Sequence, residues 1–205
     1  FGACSEDGSQ FEVCCDGKLA ARVEWSMHGA HNRMNALAAI AAARHAGVPV
    51  EKACEALGRY QGIKRRMEVL GEIGGVTVYD DFAHHPTAII ETLSAVKEVS
   101  GDGRILAVLE PRSNTMRMGV HKKRLLDSLQ QADHIYLLQP ENIDWNLADL
   151  ARHSSAAAGV YENVDEIIRD VTRQAHPGDH VVIMSNGGFD SIHTRLLQAL
   201  EKQVA

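Results

Sequence analysis

The chain has 205 residues, of which 45% are hydrophobic and 23% are charged, a composition typical of globular proteins with one or two cores. Its formal net charge of -6, without long runs of Lys and Arg, argues against a nucleic-acid partner and favours a small molecule. No stretch approaches the roughly 20 apolar residues of a membrane helix, and the start lacks the basic-then-apolar order of a signal peptide. We therefore expect a cytoplasmic protein with no membrane partner.

The four cysteines, Cys4, Cys14, Cys15 and Cys54, show no CxxC spacing. Adjacent Cys14 and Cys15 would point to opposite faces of a strand. We therefore predict neither a disulfide framework nor a zinc site, and we expect no metal ligands in this chain.

The first sixty residues predict a hairpin followed by two helices. Residues 10–26 indicate two strands joined at Asp16-Gly17, because this dipeptide supplies the positive φ angles of a tight turn. An alanine-rich segment then shows the helical period, with a predicted apolar face of Met34, Leu37, Ala38 and Ala41. A second helix repeats the spacing at Val50, Ala53, Cys54 and Leu57. We place a domain boundary near residues 58–62, which gives domains of residues 1–61 and 62–205.

From about residue 63 the pattern changes to short apolar runs separated by helical patterns. The runs, at residues 76–79, 105–109, 135–138, 156–161 and 181–184, are typical of parallel strands buried on both faces. Helices are predicted after Pro86, after Asn163 with its capping partner Glu166, and near the end of the chain. Their apolar stripes are Ile89, Leu93 and Val96; Val164, Ile167, Ile168 and Val171; and Ile192, Leu196, Leu197 and Leu200. The predicted fold class is α/β, a doubly wound, Rossmann-like, mostly parallel sheet preceded by the hairpin and helices.

In such a sheet, ligands bind at the carboxyl ends of the strands, so we examined the loops at residues 80–86, 110–118, 139–144 and 185–190. The first contains YDDFAHHP, with two carboxylates and two imidazoles before a helix N-terminus, which favours anions. Asp80 or Asp81 could instead cap that helix, and the histidines could simply be exposed. A metal site is disfavoured because adjacent His84 and His85 cannot easily face one ion.

Two further groups of side chains are candidates for nucleotide binding. His31, Asn32 and Asn35 share a helix face, and an amide offers the donor and acceptor that suit a purine edge. Capping of the helix by Asn32 is the alternative. Arg66 carries a guanidinium, the usual bidentate partner of phosphate, although it could also be a solvated charge.

Two loops after predicted strands offer hydrogen-bonding groups. In SNGGFD, two glycines let a ligand approach the backbone, and in EPRSNTM the polar side chains could bind a ligand or be merely hydrated. The candidate contacts are Ser185, Asn186 and Gly187 in the first loop and Arg112, Ser113 and Asn114 in the second.

Together, the segments GAHNRMNALAAIAAA, GIKRRMEV and VYDDFAHHPTAI, in this order and spacing, resemble the ATP-dependent Mur ligases of peptidoglycan synthesis. The resemblance covers about residues 20–200. DDFAHHPT, EPRSNTM and SNGGFDSIH look most like the branch that joins the tripeptide L-alanyl-γ-D-glutamyl-meso-diaminopimelate to UDP-N-acetylmuramate in peptidoglycan recycling. The alternative within the family is ligation of L-alanine to UDP-N-acetylmuramate, because that branch shares DDFAHHPT.

The resemblance implies an activity, cofactors and residue roles. ATP, with Mg²⁺, would convert the carboxylate of UDP-N-acetylmuramate into an acyl phosphate, which the tripeptide amine attacks. Residues 1–61 would be the end of the central ATP-binding domain, and residues 62–205 the C-terminal domain. His31, Asn32 and Asn35 would face adenine, Asp81 the ribose, and Arg66 the phosphates, with His84 near the reacting groups. The tripeptide would contact Arg112, Ser113, Asn114, Ser185, Asn186 and Gly187, and His84 as well.

The sequence departs from the family pattern, because the family's upstream glutamate, its modified lysine and its UDP-binding domain have no counterpart here. It contains no GxxxxGK[ST] motif, whose backbone, lysine and hydroxyl grip phosphates and Mg²⁺. We therefore expect a truncated or proteolytic piece of a longer enzyme, inactive without upstream domains of the same chain. Other classes are a stand-alone nucleotide- or peptide-binding module and a dinucleotide-dependent oxidoreductase. The latter is disfavoured because no GxGxxG follows a predicted strand.

Overall fold

The computed structural model describes residues 2–120, 122–139 and 145–204. The chain divides into two compact units. The first extends to Ile63 and includes Ser94–Val99, and the second comprises Lys64–Leu93 and the residues from Ser100 onward. None of the helices in the described ranges combines the length and apolarity that a membrane span requires.

The first unit is a hairpin with two helices. Strands β1 (Gln10–Cys15) and β2 (Lys18–Glu24) pair antiparallel, and helices α1 (Ala30–His45) and α2 (Val50–Gly58) follow. The predicted turn is confirmed, with positive φ angles of 50° at Asp16 and 76° at Gly17. The core of this unit includes Phe11, Val13, Val23, Trp25, Ile40 and Cys54.

Helix α1 is confirmed, but the apolar face from which it was predicted is not the face that is buried. Ala36 and Ile40 are buried, whereas Met34 is 58% exposed, and Leu37 packs only partly against the core. In an alanine-rich helix, several stripes share the same period. Periodicity alone therefore could not select the buried one.

The second unit is a six-stranded sheet with helices, which confirms the predicted α/β class. Its strands are β3 (Glu68–Ile73), β4 (Val76–Asp81), β5 (Ile105–Leu109), β6 (His134–Leu138), β7 (Ala157–Tyr161) and β8 (His180–Met184). Its helices are α4 (Asn114–Arg117), α5 (Lys122–Ser128), α6 (Leu147–Arg152), α7 (Val164–Gln174) and α8 (Ile192–Val204). Helix α3 (Pro86–Ser100) begins in this unit, and its residues Ser94–Val99 belong to the first unit. The strand order is β3-β4-β8-β5-β6-β7, and only the β3–β4 pair is antiparallel among these neighbours.

Strand β3 is absent from the sequence prediction. It lies at the edge of the sheet, pairs with β4 through a register shift between Val69 and Gly71, and leaves Val69 58% exposed. Its two glutamates and its glycine interrupt the apolar pattern. An edge strand that exposes an apolar residue lacks the pattern from which buried strands were recognised.

The central strands are buried on both faces. One face packs against α7 and α8, with Val78, Leu106, Val108, Val181 and Ile183 in the shared core. The alternate residues of β5 and β8 are also fully buried, so their opposite face is covered too. The predicted stripes Ile89, Leu93 and Val96 on α3 and Ile192, Leu196 and Leu200 on α8 are buried. The predicted cap of α7 is confirmed, because Asn163 Oδ1 accepts from the Glu166 amide at 3.0 Å.

An ion pair stabilises the amino ends of the strands. Arg104 Nε and Nη2 donate to the two carboxylate oxygens of Asp179 at 2.9 and 2.5 Å, and Nη2 also donates to the Gln174 carbonyl. Burial alone would raise the pKa of Asp179. The hydrogen bonds from Arg104 and from the His176 amide outweigh burial and hold this pKa below its ordinary value.

Candidate functional site

Three neighbouring strands, β4, β8 and β5, end at the same edge of the sheet. Asp80 and Asp81 end β4, Ser185 follows β8, and Glu110 follows β5. The Ser185 amide donates to the Asp81 carbonyl and the Glu110 amide to the Met184 carbonyl, both at 3.1 Å. The polar groups predicted at the carboxyl ends of these strands therefore lie close together.

The carboxylate of Asp81 is buried and organises the loop after β4. Its Oδ1 accepts from the Ala83 amide at 2.7 Å and from the Thr92 hydroxyl at 3.0 Å, and its Oδ2 accepts from the Met67 amide at 2.8 Å. The alternative in which an aspartate caps α3 is wrong. Its N-cap is His85, whose Nδ1 accepts from the Ala88 amide at 3.3 Å.

The ring of His84 has a defined orientation. Its Nδ1 lies 2.8 Å from the carbonyl oxygen of Phe82, and the ring also meets the Phe82 ring edge-on. Because a carbonyl oxygen only accepts hydrogen bonds, Nδ1 carries the hydrogen. In the neutral ring, Nε2 therefore keeps a free lone pair that can accept a hydrogen bond or a proton.

Arg66 is an exposed cation on a turn with unusual backbone angles. Its guanidinium carbon lies 5.6 Å from the centre of the Phe82 ring, and no carboxylate partner lies within ion-pairing distance in the described part of the chain. The flanking residues Arg65 and Met67 have φ angles of 59° and 52°, which non-glycine residues seldom adopt. Such angles concentrate at ligand-binding sites. A free guanidinium held on a turn fits a phosphate group.

The loops after β8 and β5 are joined through Ser185. Its buried hydroxyl donates to Glu110 Oε2 and accepts from the Gly187 amide, the latter at 2.8 Å. Arg112 lies 3.9 Å from Glu110 Oε1 and covers Gly187, where an added Cβ would clash with the arginine side chain. Glu110 was missed by the sequence reasoning. The signal was a carboxylate directly after five fully buried residues.

The remaining candidate contacts for the tripeptide lie in different local environments. Ser113 caps α4 by accepting from the Met116 amide at 3.3 Å, and Asn114 is exposed at its first residue. Asn186 Oδ1 is buried without a hydrogen-bond partner in the described ranges. Residues 140–144 of the predicted loop 139–144 lie outside the described residues.

In the first unit, His31, Asn32 and Asn35 lie in the first turns of α1. The N-cap is Gly29, with a φ of 89° and no side-chain cap. The prediction that Asn32 could cap the helix is wrong. Its side-chain nitrogen Nδ2 instead donates to the His28 carbonyl at 2.7 Å. Asn35 is exposed.

The described residues include one candidate for phosphate binding. Arg66 is the exposed guanidinium described above. Within the ranges that the structure describes, no group of three or more His, Cys, Asp or Glu side chains is placed to hold a metal.

The family of the chain follows from its sequence. Residues 65–187 match the family described as "Mur ligase, glutamate ligase domain". The chain belongs to the Mur ligase family.

Two related sequences and one solved structure show which members of the family the chain is similar to. The chain is 51% identical over 198 residues to the UDP-N-acetylmuramate–L-alanyl-γ-D-glutamyl-meso-2,6-diaminoheptandioate ligase of Escherichia coli (strain K12), covering 96% of the chain and 43% of the relative. A crystal structure of a murein peptide ligase from Psychrobacter arcticus matches with a TM-score of 0.72 and 48% identity, over 100% of the chain and 44% of that structure. A UDP-N-acetylmuramate–L-alanine ligase of Streptomyces avermitilis is 35% identical over 207 residues, 95% of the chain and 44% of the relative. The chain thus spans less than half the length of these relatives.

Proposed function

We propose that the chain is the amine-binding domain and part of the ATP-binding domain of a ligase that joins L-alanyl-γ-D-glutamyl-meso-diaminopimelate to UDP-N-acetylmuramate. Residues 1–61 are the end of the ATP-binding domain, and residues 62–205 are the C-terminal domain. The observation that carries the proposal is the 51% identity with a ligase of this specificity, against 35% with a ligase for L-alanine. The remaining domains of such an enzyme would supply the P-loop and the ligands of Mg²⁺.

On the nucleotide side, ATP supplies the phosphoryl group that activates the carboxylate of UDP-N-acetylmuramate. Arg66 binds its phosphates, because an unpaired guanidinium neutralises charge that grows during phosphoryl transfer. Asp81 accepts a hydrogen bond from a ribose hydroxyl through its one remaining acceptor position. Its carboxylate has about four lone-pair positions, of which three are used by protein donors. His31, Asn32 and Asn35 contact adenine.

At the reacting end, His84 faces the incoming amine. An amine must lose a proton as it attacks a carbonyl carbon, and the free Nε2 of His84 accepts it. The bond from Nδ1 to the Phe82 carbonyl fixes the ring in the orientation that this step requires. His84 and Arg66 are thus the proposed catalytic residues of this chain.

The amine side consists of the loops after β5 and β8. Glu110 and Arg112 place opposite charges next to each other, which suits a peptide that carries both ammonium and carboxylate groups. Asn186 has a buried acceptor without a partner in the described ranges, and Ser113 and Asn114 extend the polar surface. Ser185 and Gly187 hold the loop through the hydrogen bond from the Gly187 amide to the Ser185 hydroxyl, and the missing side chain at Gly187 leaves room for Arg112.

The test uses the protein encoded by the complete reading frame. Phosphate release from ATP is measured with UDP-N-acetylmuramate plus either the tripeptide or L-alanine. We expect a kcat/KM for the tripeptide at least about a hundredfold higher, since buried polar contacts with the longer acceptor discriminate strongly. A preference for L-alanine would contradict the proposal and favour the L-alanine ligase activity.

The same assay tests a non-catalytic binding module. Such a module would bind nucleotide or peptide without releasing phosphate when all three substrates are present. Binding of ATP to the complete protein without turnover would therefore replace the ligase proposal by this alternative.

A further inference from the structure

Two adjacent arginines lie in very different environments. Arg66 is exposed and pairs with no carboxylate in the described ranges, whereas Arg65 is partly buried and bound on several sides. Arg65 Nη2 donates to the Ser185 carbonyl at 2.5 Å, and Nε lies 3.3 Å from Asp80 Oδ2. The Arg65 carbonyl accepts from the Phe82 amide at 2.9 Å. Arg65 thereby attaches the turn that carries Arg66 to the loops after β4 and β8.

Asp80 is the buried centre of this attachment. Its side chain is 9% exposed, and Arg65 lies beside one of its oxygens. The other oxygen, Oδ1, lies 3.0 Å from Nε2 of His193, whose side chain is 19% exposed on α8. The two atoms are within ion-pairing distance, and neither has a well-aligned hydrogen-bond partner in the described part of the chain.

Because Asp80 is buried, its carboxylate depends on the neighbouring ring of His193. A carboxylate taken out of water is costly unless each oxygen faces a positive group or a donor. Without His193, Asp80 Oδ1 would lose the ring nitrogen that lies 3.0 Å away, and rotation of the carboxylate towards water would become favourable. Rotation would move Oδ2 away from Arg65.

We propose that His193 is a positioning residue for nucleotide binding: its Nε2–H group faces Asp80 Oδ1, Asp80 holds Arg65, and Arg65 fixes the turn that presents Arg66 to phosphate. The inference rests on the proposed function of Arg66. The turn has two non-glycine residues at positive φ, a strained conformation that is retained only where surrounding contacts enforce it. The Arg65–Asp80–His193 cluster supplies such contacts.

Three variants of the complete protein test this inference. His193→Ala removes the N–H group, His193→Gln keeps an N–H donor, and Thr194→Ala is the control at the next, exposed position of α8. The readouts are the Kd for ATP by calorimetry and the hydrogen exchange of the Met67 and Phe82 amides. These amides donate to Asp81 and to the Arg65 carbonyl, so they report on the turn.

We expect His193→Ala to raise the Kd for ATP about five- to tenfold and to speed exchange at both amides, while kcat at saturating ATP changes little. His193→Gln should recover most of the affinity, and Thr194→Ala should match the unmodified protein. The inference fails if His193→Ala behaves as Thr194→Ala does, or if its loss is not recovered by glutamine. Failure of the unmodified protein to bind ATP would instead contradict the proposed function.

Discussion

The Nδ1 atom of His84 lies 2.8 Å from the carbonyl oxygen of Phe82 and so fixes which ring nitrogen remains free. If the free Nε2 accepts the proton of the attacking amine, His84→Ala should lower kcat of the complete protein by about 100-fold or more. The KM for ATP should change little, because the ring faces the amine. Steady-state kinetics at saturating tripeptide measure both constants.

The neighbouring histidine provides the control for His84. His85→Asn keeps a side chain that caps α3 well, so we expect kcat within about threefold of the unmodified value. Equal losses in the two variants would show that the loop, and not the free Nε2 of His84, was perturbed.

Arg66 should contribute to ATP binding, whereas Lys64, two residues earlier, should not. Arg66→Ala removes an unpaired guanidinium, and the KM for ATP should rise about tenfold or more because a charged hydrogen bond to phosphate is lost. Lys64→Ala, at an exposed position two residues away, should leave the KM within about twofold. Similar effects in both variants would indicate a general charge effect and contradict a specific phosphate contact.

Asp81 should contribute both to the free energy of unfolding and to ATP binding. Two variants separate these contributions. Asp81→Ala leaves buried donors unpaired and should cost about 3 kcal/mol of unfolding free energy, in addition to raising the KM for ATP. Thr92→Val removes only one of its partners and should cost about 1 kcal/mol with the KM unchanged. If the KM is also unchanged in Asp81→Ala, Asp81 does not contact the ribose.

Gly187 lies against Arg112, and a methyl group there tests the peptide site. Gly187→Ala would clash with the Arg112 side chain and displace it, so the KM for tripeptide should rise about fivefold or more while that for ATP stays the same. Gly188→Ala is the matched control, because an added Cβ meets nothing within 4 Å and φ is −80°. An unchanged KM for tripeptide in Gly187→Ala would separate Arg112 from peptide binding.

The Arg104–Asp179 pair predicts how stability depends on pH. Because the folded-state pKa of Asp179 is depressed, its stabilisation is complete above the ordinary value of 3.8 and is lost as pH falls through the folded pKa. Arg104→Ala should therefore cost about 3 kcal/mol at pH 7 and markedly less in acid, below the folded-state pKa of Asp179. Arg152→Ala, in an exposed pair, should cost under about 0.5 kcal/mol at both pH values. Denaturant unfolding measures these differences, and a pH-independent loss in Arg104→Ala would contradict the assignment.

The sequence predicted most of the second unit because its strands are continuous apolar runs and its helices have single stripes, as at Ile89 and Leu93. Edge strand β3 was not predicted because its apolar pattern is interrupted. The buried face of α1 was not predicted because the helix has too many apolar positions.

In the candidate site, sequence motifs singled out His84 and Arg66. Three of its side-chain contacts, however, join residues that are distant in sequence. Local sequence gave no reason to connect His193 with Asp80, Arg65 with Ser185, or Ser185 with Glu110. Each contact joins segments that meet at one edge of the sheet, namely the turn before β3, the ends of β4, β5 and β8, and the first turn of α8.

The most direct test follows the carboxylate oxygen through the reaction of the complete protein. UDP-N-acetylmuramate labelled with ¹⁸O in its carboxylate is incubated with ATP, Mg²⁺ and the tripeptide, and mass spectrometry analyses both products. If phosphoryl transfer activates the carboxylate before the amine attacks, the released phosphate carries one ¹⁸O atom and the tripeptide is joined through an amide. Unlabelled phosphate, or the absence of a tripeptide adduct, would contradict the account.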